Sequence, residues 1–387
     1  MKLLVLLPRV PYPLEKGDKL RAFYQIKELS KYHDIYLVAL QDKPLHPEAL
    51  KKIEPYCKEI HIFKLSLLSK SWGIIQAIFK RLPAQCGYFY SNKANKKIKQ
   101  LIHKITPDHI YCFMIRMAEY AKYLNFPKTL DYQDVLSIGM KRRSEKAPFW
   151  KKPLFLYEYQ TLKHYEKNIF SSFTNKTIIT GIDRGFIHHP QKNEIHVIPN
   201  GIDFERFAFV EKEKKYDLIF AGNMSYPPNV DAVFFLVKHI FPKLREKFPD
   251  LQFCICGASP IPAIKALDCE NIHVTGWVDD MAEYYAQSKI FIAPMQLGTG
   301  LQNKLLEAMA MKRPCVTSSL AGKPLDGAQH NCHLLICDQV EEYIDAVSNL
   351  LTDTIFYHTI AENGYQFIKT NYDWEEVGKR LEKVISG

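Results

Sequence analysis

The chain contains no apolar run approaching the roughly 18 residues that a membrane-spanning helix requires, so a transmembrane protein is not expected. Its amino-terminal run Leu3–Leu7 ends at Pro8 and Arg9, too soon for the apolar core of a signal peptide, and reads as a first buried strand. No two cysteines form Cys-x-x-Cys. The nine cysteines, Cys57, Cys86, Cys112, Cys254, Cys256, Cys269, Cys315, Cys332 and Cys337, are odd in number, and several lie inside apolar runs. That usage argues against a disulfide framework and for reduced, buried thiols, as in a cytoplasmic protein. Cys254 and Cys256 would share one strand face, but no second ligand pair stands at zinc spacing. Internal repeats, low-complexity tracts and recognisable nucleic-acid modules are also missing, so nucleic acid is not an expected partner.

What remains is an ordinary globular composition over 387 residues, 47% hydrophobic and 24% charged, long enough for two domains with sizeable cores. The net charge of +10 is unevenly placed: residues 1–200 hold 34 Lys/Arg against 17 Asp/Glu, and residues 201–387 hold 18 against 25. Different partners for the two halves follow. The basic half suits an anionic membrane or a phosphorylated acceptor, or is simply a solvated surface.

In the second half, short apolar runs at Asp217–Gly222, Leu251–Gly257, Ile272–Gly276, Ile290–Pro294, Pro314–Thr317 and Leu334–Cys337 alternate with helix-compatible segments, including Asn229–Lys247, Asp280–Gln287 and Leu301–Met311. This predicts βαβ units on a parallel sheet, with ligands at the carboxyl ends of the strands. The first half alternates less regularly, with strands expected at Leu3–Leu7, Ile35–Leu40, Glu59–Phe63, His109–Cys112 and Thr177–Thr180 and a long helical stretch from about Leu136 to Phe170. The charged run Glu211–Lys215 reads as a linker. Trp374, Val377, Leu381 and Ile385 recur at helical spacing near the carboxyl terminus and make one apolar face.

The richest segment is Leu297-Gly-Thr-Gly-Leu-Gln-Asn-Lys-Leu-Leu-Glu-Ala-Met-Ala-Met311, between two apolar strands. A glycine loop that opens a helix offers backbone N–H groups and the positive end of the helix dipole to an anion, typically a phosphate. The helix is apolar nearly all round, yet carries Lys304 and Glu307 on one face. Two readings stand: a structural Lys–Glu pair, or a nucleotide-sugar site with Lys304 on a diphosphate and Glu307 on ribose hydroxyls.

This segment resembles the donor-binding signature of GT-B glycosyltransferases of the retaining family 4 type, and more narrowly the bacterial sugar transferases associated with exopolysaccharide loci. The resemblance extends over the chain but is sharp only at residues 11–21, 195–203 and 271–320. It implies an α/β protein of two Rossmann-like, doubly wound domains facing across a cleft: an acceptor-side domain over 1–205, a nucleotide-sugar domain over 206–365, and a terminal helix, 366–387, crossing back. Many members carry Glu-x7-Glu. Glu307 matches the second glutamate, which holds the donor ribose, and Thr299 stands where the first would be. Gly298-x-Gly300-x-Gln302-Asn303-Lys304 takes its place, as in the narrower branch. Gly298, Thr299, Gly300, Leu301, Gln302 and Asn303 thereby become expected donor contacts. Pro199-Asn-Gly-Ile-Asp203 matches the inter-domain Pro-Asn-Gly-x-Asp.

Other positions carry over less completely. Gly222 and Asn223 end a strand where relatives place an arginine on the diphosphate, with a lysine some residues later; Asn223 and Asn229 stand here instead, or merely cap a turn and a helix. Lys304 is then the main cation on the diphosphate. The backbone near Val278 would lie against the nucleobase, and Asp279 or Asp280 reads as a helix cap. Gly17, Asp18 and Arg21 match the branch's Gly-Asp-x-x-Arg, which implies that Gly17 approaches the donor, Asp18 acts in catalysis and Arg21 serves the acceptor; otherwise Asp18 caps a helix and Arg21 is solvated. No histidine aligns with the one that contacts the transferred sugar in relatives, and Arg116 is the nearest polar candidate. Asp131 and Asp134 end a further strand.

Trp72, Ile75, Ile78 and Phe79 can share a helical face with Lys70, Lys80 and Arg81 at its ends, and Phe149–Tyr157 adds a second aromatic and basic patch. Residues 69–81 and 149–157 suit an anionic membrane surface at the inner face, or a core helix with basic ends. The expected function is transfer of a sugar, with retention and without a metal or other cofactor, from a nucleoside-diphosphate sugar to a saccharide or lipid-linked acceptor in cell-surface polysaccharide synthesis. A non-catalytic nucleotide-sugar-binding or membrane scaffold, or a GT-B-like nucleotide-sugar epimerase, are the alternatives.

Overall fold

In the computed structural model, all residues are described except Glu15, Lys16 and Thr299, with Lys146 described by its backbone only. The chain divides into two compact units, Met1–Pro199 with Val377–Gly387, and Asn200–Glu376. The division falls at 199/200, where the sequence suggested 205/206.

The first unit is built on a parallel sheet of β1 (Lys2–Leu7), β2 (Asp34–Gln41), β3 (Glu59–Lys64), β4 (His109–Phe113), β5 (Lys128–Asp131), β6 (Asn175–Ile178) and β7 (His196–Val197), in the order β3-β2-β1-β4-β5-β6-β7. Its central strands are buried on both faces: Leu3–Leu7 and His109–Phe113 are wholly inaccessible or nearly so. This accounts for continuous apolar runs where a half-exposed sheet would alternate. The second unit repeats the plan with β8 (Tyr216–Ala221), β9 (Phe253–Cys256), β10 (Ile272–Gly276), β11 (Ser288–Ala293), β12 (Cys315–Thr317) and β13 (Leu335–Ile336), in the order β10-β9-β8-β11-β12-β13.

In both sheets the order reverses beside the first strand, between β1 and β4 and between β8 and β11. Loops leaving the two flanking strands diverge there and open a crevice at their carboxyl ends, the usual ligand position in a doubly wound fold.

Three local departures have plain causes. The stretch expected as one helix over 136–170 is two, Leu136–Lys146 and Lys152–Ile169, because Pro148 forces Ala147 out of helical geometry. The helical run after β8 contains a π-turn at Leu236–Ile240, just before Pro242, which has no N–H to give. The helix Thr354–Tyr372 runs past residue 366, and the final helix is Trp374–Ser386, with Trp374, Val377, Leu381 and Ile385 all buried. Gly378 on that helix lies so close to Glu28 that an added Cβ would sit 2.5 Å from the glutamate Cβ. Among the described residues, no helix is long and apolar enough to cross a membrane.

Candidate functional site

At the crevice of the second unit, β8 ends in Gly222-Asn223 and β11 leads into the glycine loop and the helix Asn303–Ala310. Leu305, Leu306, Ala308, Met309 and Ala310 bury that helix in the core, which fixes the direction of Lys304 and Glu307. Gly298 and Gly300 have φ of +121° and +71°, a region that a side chain disfavours, so the loop needs glycine for its path. Gln302 occupies the helix N-cap without a side-chain cap, and Asn303 Oδ1 accepts a bond from Asn200 Nδ2 at 3.4 Å. Leu301 packs against the core. Thr299 lies outside the described residues.

Lys304 is mostly enclosed. Its Nζ donates to Asn229 Oδ1 at 2.6 Å and lies 4.4 Å from the centre of the Phe220 ring. Among the described residues it has no ion-pair partner, so the structural Lys304–Glu307 pair is not formed. Burial pushes the Lys304 ammonium down to about 7, only partly offset by the attraction of Glu307. Such a cation is poised to gain from an incoming anion, which would restore its charged form. Glu307 is also raised, by burial first; the Tyr285 hydroxyl donates to its Oε2 at 3.0 Å and opposes that rise. Tyr285 is fully buried and holds the carboxylate in one orientation.

Gly222 has no room for a side chain: a Cβ there would fall 2.6 Å from Asn229 Nδ2 and 3.3 Å from Lys304 Nζ. Asn229 is not the helix cap that its position suggests. The cap of Pro227–Phe235 is Tyr226, and the buried Asn229 amide ties the Asn223 carbonyl (2.9 Å) to Lys304. Asn223 is exposed and its Oδ1 accepts from the N–H and hydroxyl of Ser225, a local turn. Asp280 caps Met281–Ala286 by accepting from Ala282 N–H at 2.9 Å. Val278, partly buried, packs against the core beside the exposed Trp277.

In the first unit the geometry corrects one expectation. Arg21 is wholly buried. Its Nε donates to Asp131 Oδ2 at 2.8 Å and its Nη1 to the Pro199 carbonyl at 3.1 Å. Gln25 and Tyr111 bond the same carboxylate oxygen. Burial alone would raise Asp131, but Arg21 outweighs it and holds the carboxyl below its usual range. Arg21 therefore locks the helix Gly17–Leu29 to β5 and is out of reach of any acceptor. Gly17 opens that helix, and a Cβ added there would meet no atom of the described residues within 4 Å. Asp18, in its first turn, faces Arg9 at 3.5 Å. Arg116 follows β4, donates to Gln85 Oε1 at 2.6 Å, and lies 5.5 Å from the centre of the Phe89 ring.

Sequence reasoning passed over Phe220, Tyr285 and Arg9 and misjudged Asn229. Arg9 was detectable as the first charge after a buried strand. Phe220 and Tyr285 were not, because an aromatic in an apolar run carries no mark of what it touches.

Residues 215–353, essentially the second unit's sheet and its helices, match the family model for group 1 glycosyl transferases. The chain is 23% identical to an uncharacterized 44.6 kDa protein in the cps region of Klebsiella pneumoniae, over 97% of each chain. It is 22% identical to the UDP-Gal:alpha-D-GlcNAc-diphosphoundecaprenol alpha-1,3-galactosyltransferase of Escherichia coli, covering 49% of this chain and 53% of that one. Among solved structures, HepE of Anabaena in complex with UDP superposes with a TM-score of 0.70 over all of both chains, at 14% identity. The two parallel doubly wound units thus have the GT-B fold of these solved structures, and the second unit matches the group 1 glycosyl transferase family over residues 215–353.

Proposed function

We propose that this protein moves a sugar from a nucleoside-diphosphate sugar to a saccharide or lipid-linked acceptor in the synthesis of cell-surface polysaccharide, retaining the anomeric configuration and needing no metal. The observation that carries the reading is Lys304, an enclosed ammonium with no counter-ion among the described residues, beside the glycine loop and helix N-terminus. In the proposed complex the diphosphate takes the loop N–H groups and Lys304, and Glu307 takes the ribose hydroxyls. Departure of the sugar leaves charge on the diphosphate, and a preorganised cation and helix dipole stabilise that charge where it develops. Among the described residues no carboxylate stands as an evident nucleophile, so the leaving phosphate is the proposed acceptor of the attacking hydroxyl's proton. UDP is the first nucleotide to test, because HepE, of the same fold, was solved with UDP and with UDP-glucose. The E. coli relative acts on a diphosphoundecaprenol-linked sugar, which favours a lipid-linked acceptor here.

A membrane surface belongs to the same proposal. Leu67–Phe79 is a helix that buries only Gly73 and Ala77, and Leu67, Leu68, Trp72, Ile75, Ile78 and Phe79 face outward, against the reading of a core helix. Phe149, Trp150 and Leu154 are likewise exposed. The test is incubation of the protein with labelled UDP-sugars, with and without lipid-linked saccharide. Acceptor-dependent transfer, unaffected by EDTA, is expected. Isomerised donor without acceptor would instead show an epimerase, and no turnover or binding of any donor a scaffold.

A further inference from the structure

β1 and β4 flank the order reversal of the first unit, and the first charged residue beyond each is an arginine: Arg9 two positions after β1, and Arg116 three after β4. The two guanidinium groups share the ring of Phe89, at 5.2 and 5.5 Å from its centre. Together with Arg143 they line a cavity of about 410 Å³ whose other walls include Ile74, Leu154 and Phe155. Two apolar segments thus contribute to its lining: Ile74 lies on the outward-facing helix Leu67–Phe79, and the exposed Leu154 follows Phe149 and Trp150.

The charges inside are unevenly spent. Arg9 is shared between Asp42 at 3.0 Å and Asp18 at 3.5 Å. The Glu158 carboxylate is engaged by the N–H groups of Ala84 and Gln85. Among the described residues, the Arg116 side chain hydrogen-bonds the neutral Gln85 amide and the Met114 sulfur, Arg143 is exposed, and neither has a carboxylate at ion-pair distance. Asp134 and Asp18 act on Arg116 from further away. The buried Arg116 Nε and Gln85 Nε2 have no acceptor among the described residues. Burial, and then the nearby Arg9, hold the Arg116 guanidinium below its usual range, so an anion here would relieve both.

We propose that this cavity seats the phosphate or diphosphate of a lipid-linked acceptor, with Arg116 and Arg143 on the anion and the first units of the lipid chain on Ile74, Leu154 and Phe155. The site deepens the glycosyl-transfer reading, on which it rests. Basic and apolar walls together suit an amphiphile with an anionic head, whereas a soluble saccharide would call for neutral hydrogen-bonding groups.

The test measures binding of the full chain to neutral phosphatidylcholine vesicles carrying a small fraction of a long-chain polyprenyl diphosphate. Vesicles matched in charge with phosphatidylglycerol are the comparison. The wild type should prefer the polyprenyl diphosphate. Arg143→Gln and Arg116→Gln should each weaken that binding about tenfold or more, the loss of one charge-assisted contact, and leave binding to phosphatidylglycerol vesicles little changed. Equal binding to the two vesicle types would mean that headgroup charge alone is read, and would overturn the proposal, as would unaltered affinity in both variants or no binding at all. Melting temperature checks folding; should Arg116→Gln unfold, the exposed Arg143 decides. Titration of UDP, GDP and ADP on the same samples separates the two readings: no nucleotide binding beside retained lipid selectivity would sink glycosyl transfer and leave the pocket standing.

Discussion

At the scale of single residues, the second unit gives up stability at Lys304. Burial disfavours the charge of the ammonium and pushes it down to about 7 in the folded chain, from an ordinary lysine value of 10.5. Between those values the unfolded chain binds more protons, so this group opposes folding, most strongly below about pH 7 and not at all above the unfolded value. Lys304→Met should therefore gain stability relative to the wild type as pH is lowered from about 10 to about 7, read from paired denaturant titrations, while donor affinity falls about 10–100-fold through loss of a charged contact. An equal pH slope in both proteins would mean that Lys304 is not strained. Asp131 works in the opposite direction. Its folded value is depressed by Arg21, so its contribution is present above the unfolded value near 4 and is lost as pH falls through the lower folded one. Arg21→Ala should destabilise the protein by about 3–5 kcal/mol by leaving a buried carboxylate uncompensated. A stable Arg21→Ala with impaired acceptor use would restore the acceptor role that burial excludes. Glu307→Gln keeps the Tyr285 contact and removes the charge; it should weaken donor binding with little effect on folding, and unchanged donor affinity would remove Glu307 from the ribose.

At the scale of elements, the strands were legible because buried parallel strands are continuous apolar runs, and the helix Asn303–Ala310 because a glycine loop precedes it. The loop stood out as a candidate ligand site for the same reason, since a glycine loop before a helix between strands is a recurrent anion site. What the chain hid was pairing at a distance. Asn229 sits where a cap belongs, and only the fold brings it to Lys304, 75 positions away. Arg21 has the spacing of an exposed first-turn residue, and only the arrival of β5 with Asp131 buries it. The helix Leu67–Phe79 shows a third case. It meets the helix Ala84–Phe89 through Gly73 and Gly87, where an added Cβ on either would collide with the other's carbonyl. Its small buried face leaves the large apolar residues outside. Gly73→Val should separate this pair and destabilise the unit by about 1–3 kcal/mol through overpacking. Phe79→Asp, at a residue 85% exposed, should leave stability within about 0.5 kcal/mol and reduce vesicle binding in co-sedimentation. A Phe79→Asp protein that binds vesicles as the wild type does would remove this helix from the membrane proposal.

At the scale of the whole molecule, the surplus of basic residues in 1–200 and of acidic residues in 201–387 gives the two halves opposite fields. Binding to anionic vesicles should weaken steeply as salt rises, because exposed lysines act through screened attraction. Donor binding, centred on an enclosed ammonium, should respond far less to salt. The account stands or falls on that ammonium, and the most direct test is calorimetric titration of UDP into the wild type and Lys304→Met at pH 7.5, in buffers of different ionisation enthalpy. The account predicts tight binding by the wild type with uptake of roughly half a proton or more beyond that seen with the variant, as the diphosphate restores the Lys304 charge. Equal affinity and equal proton uptake in the two proteins would contradict it.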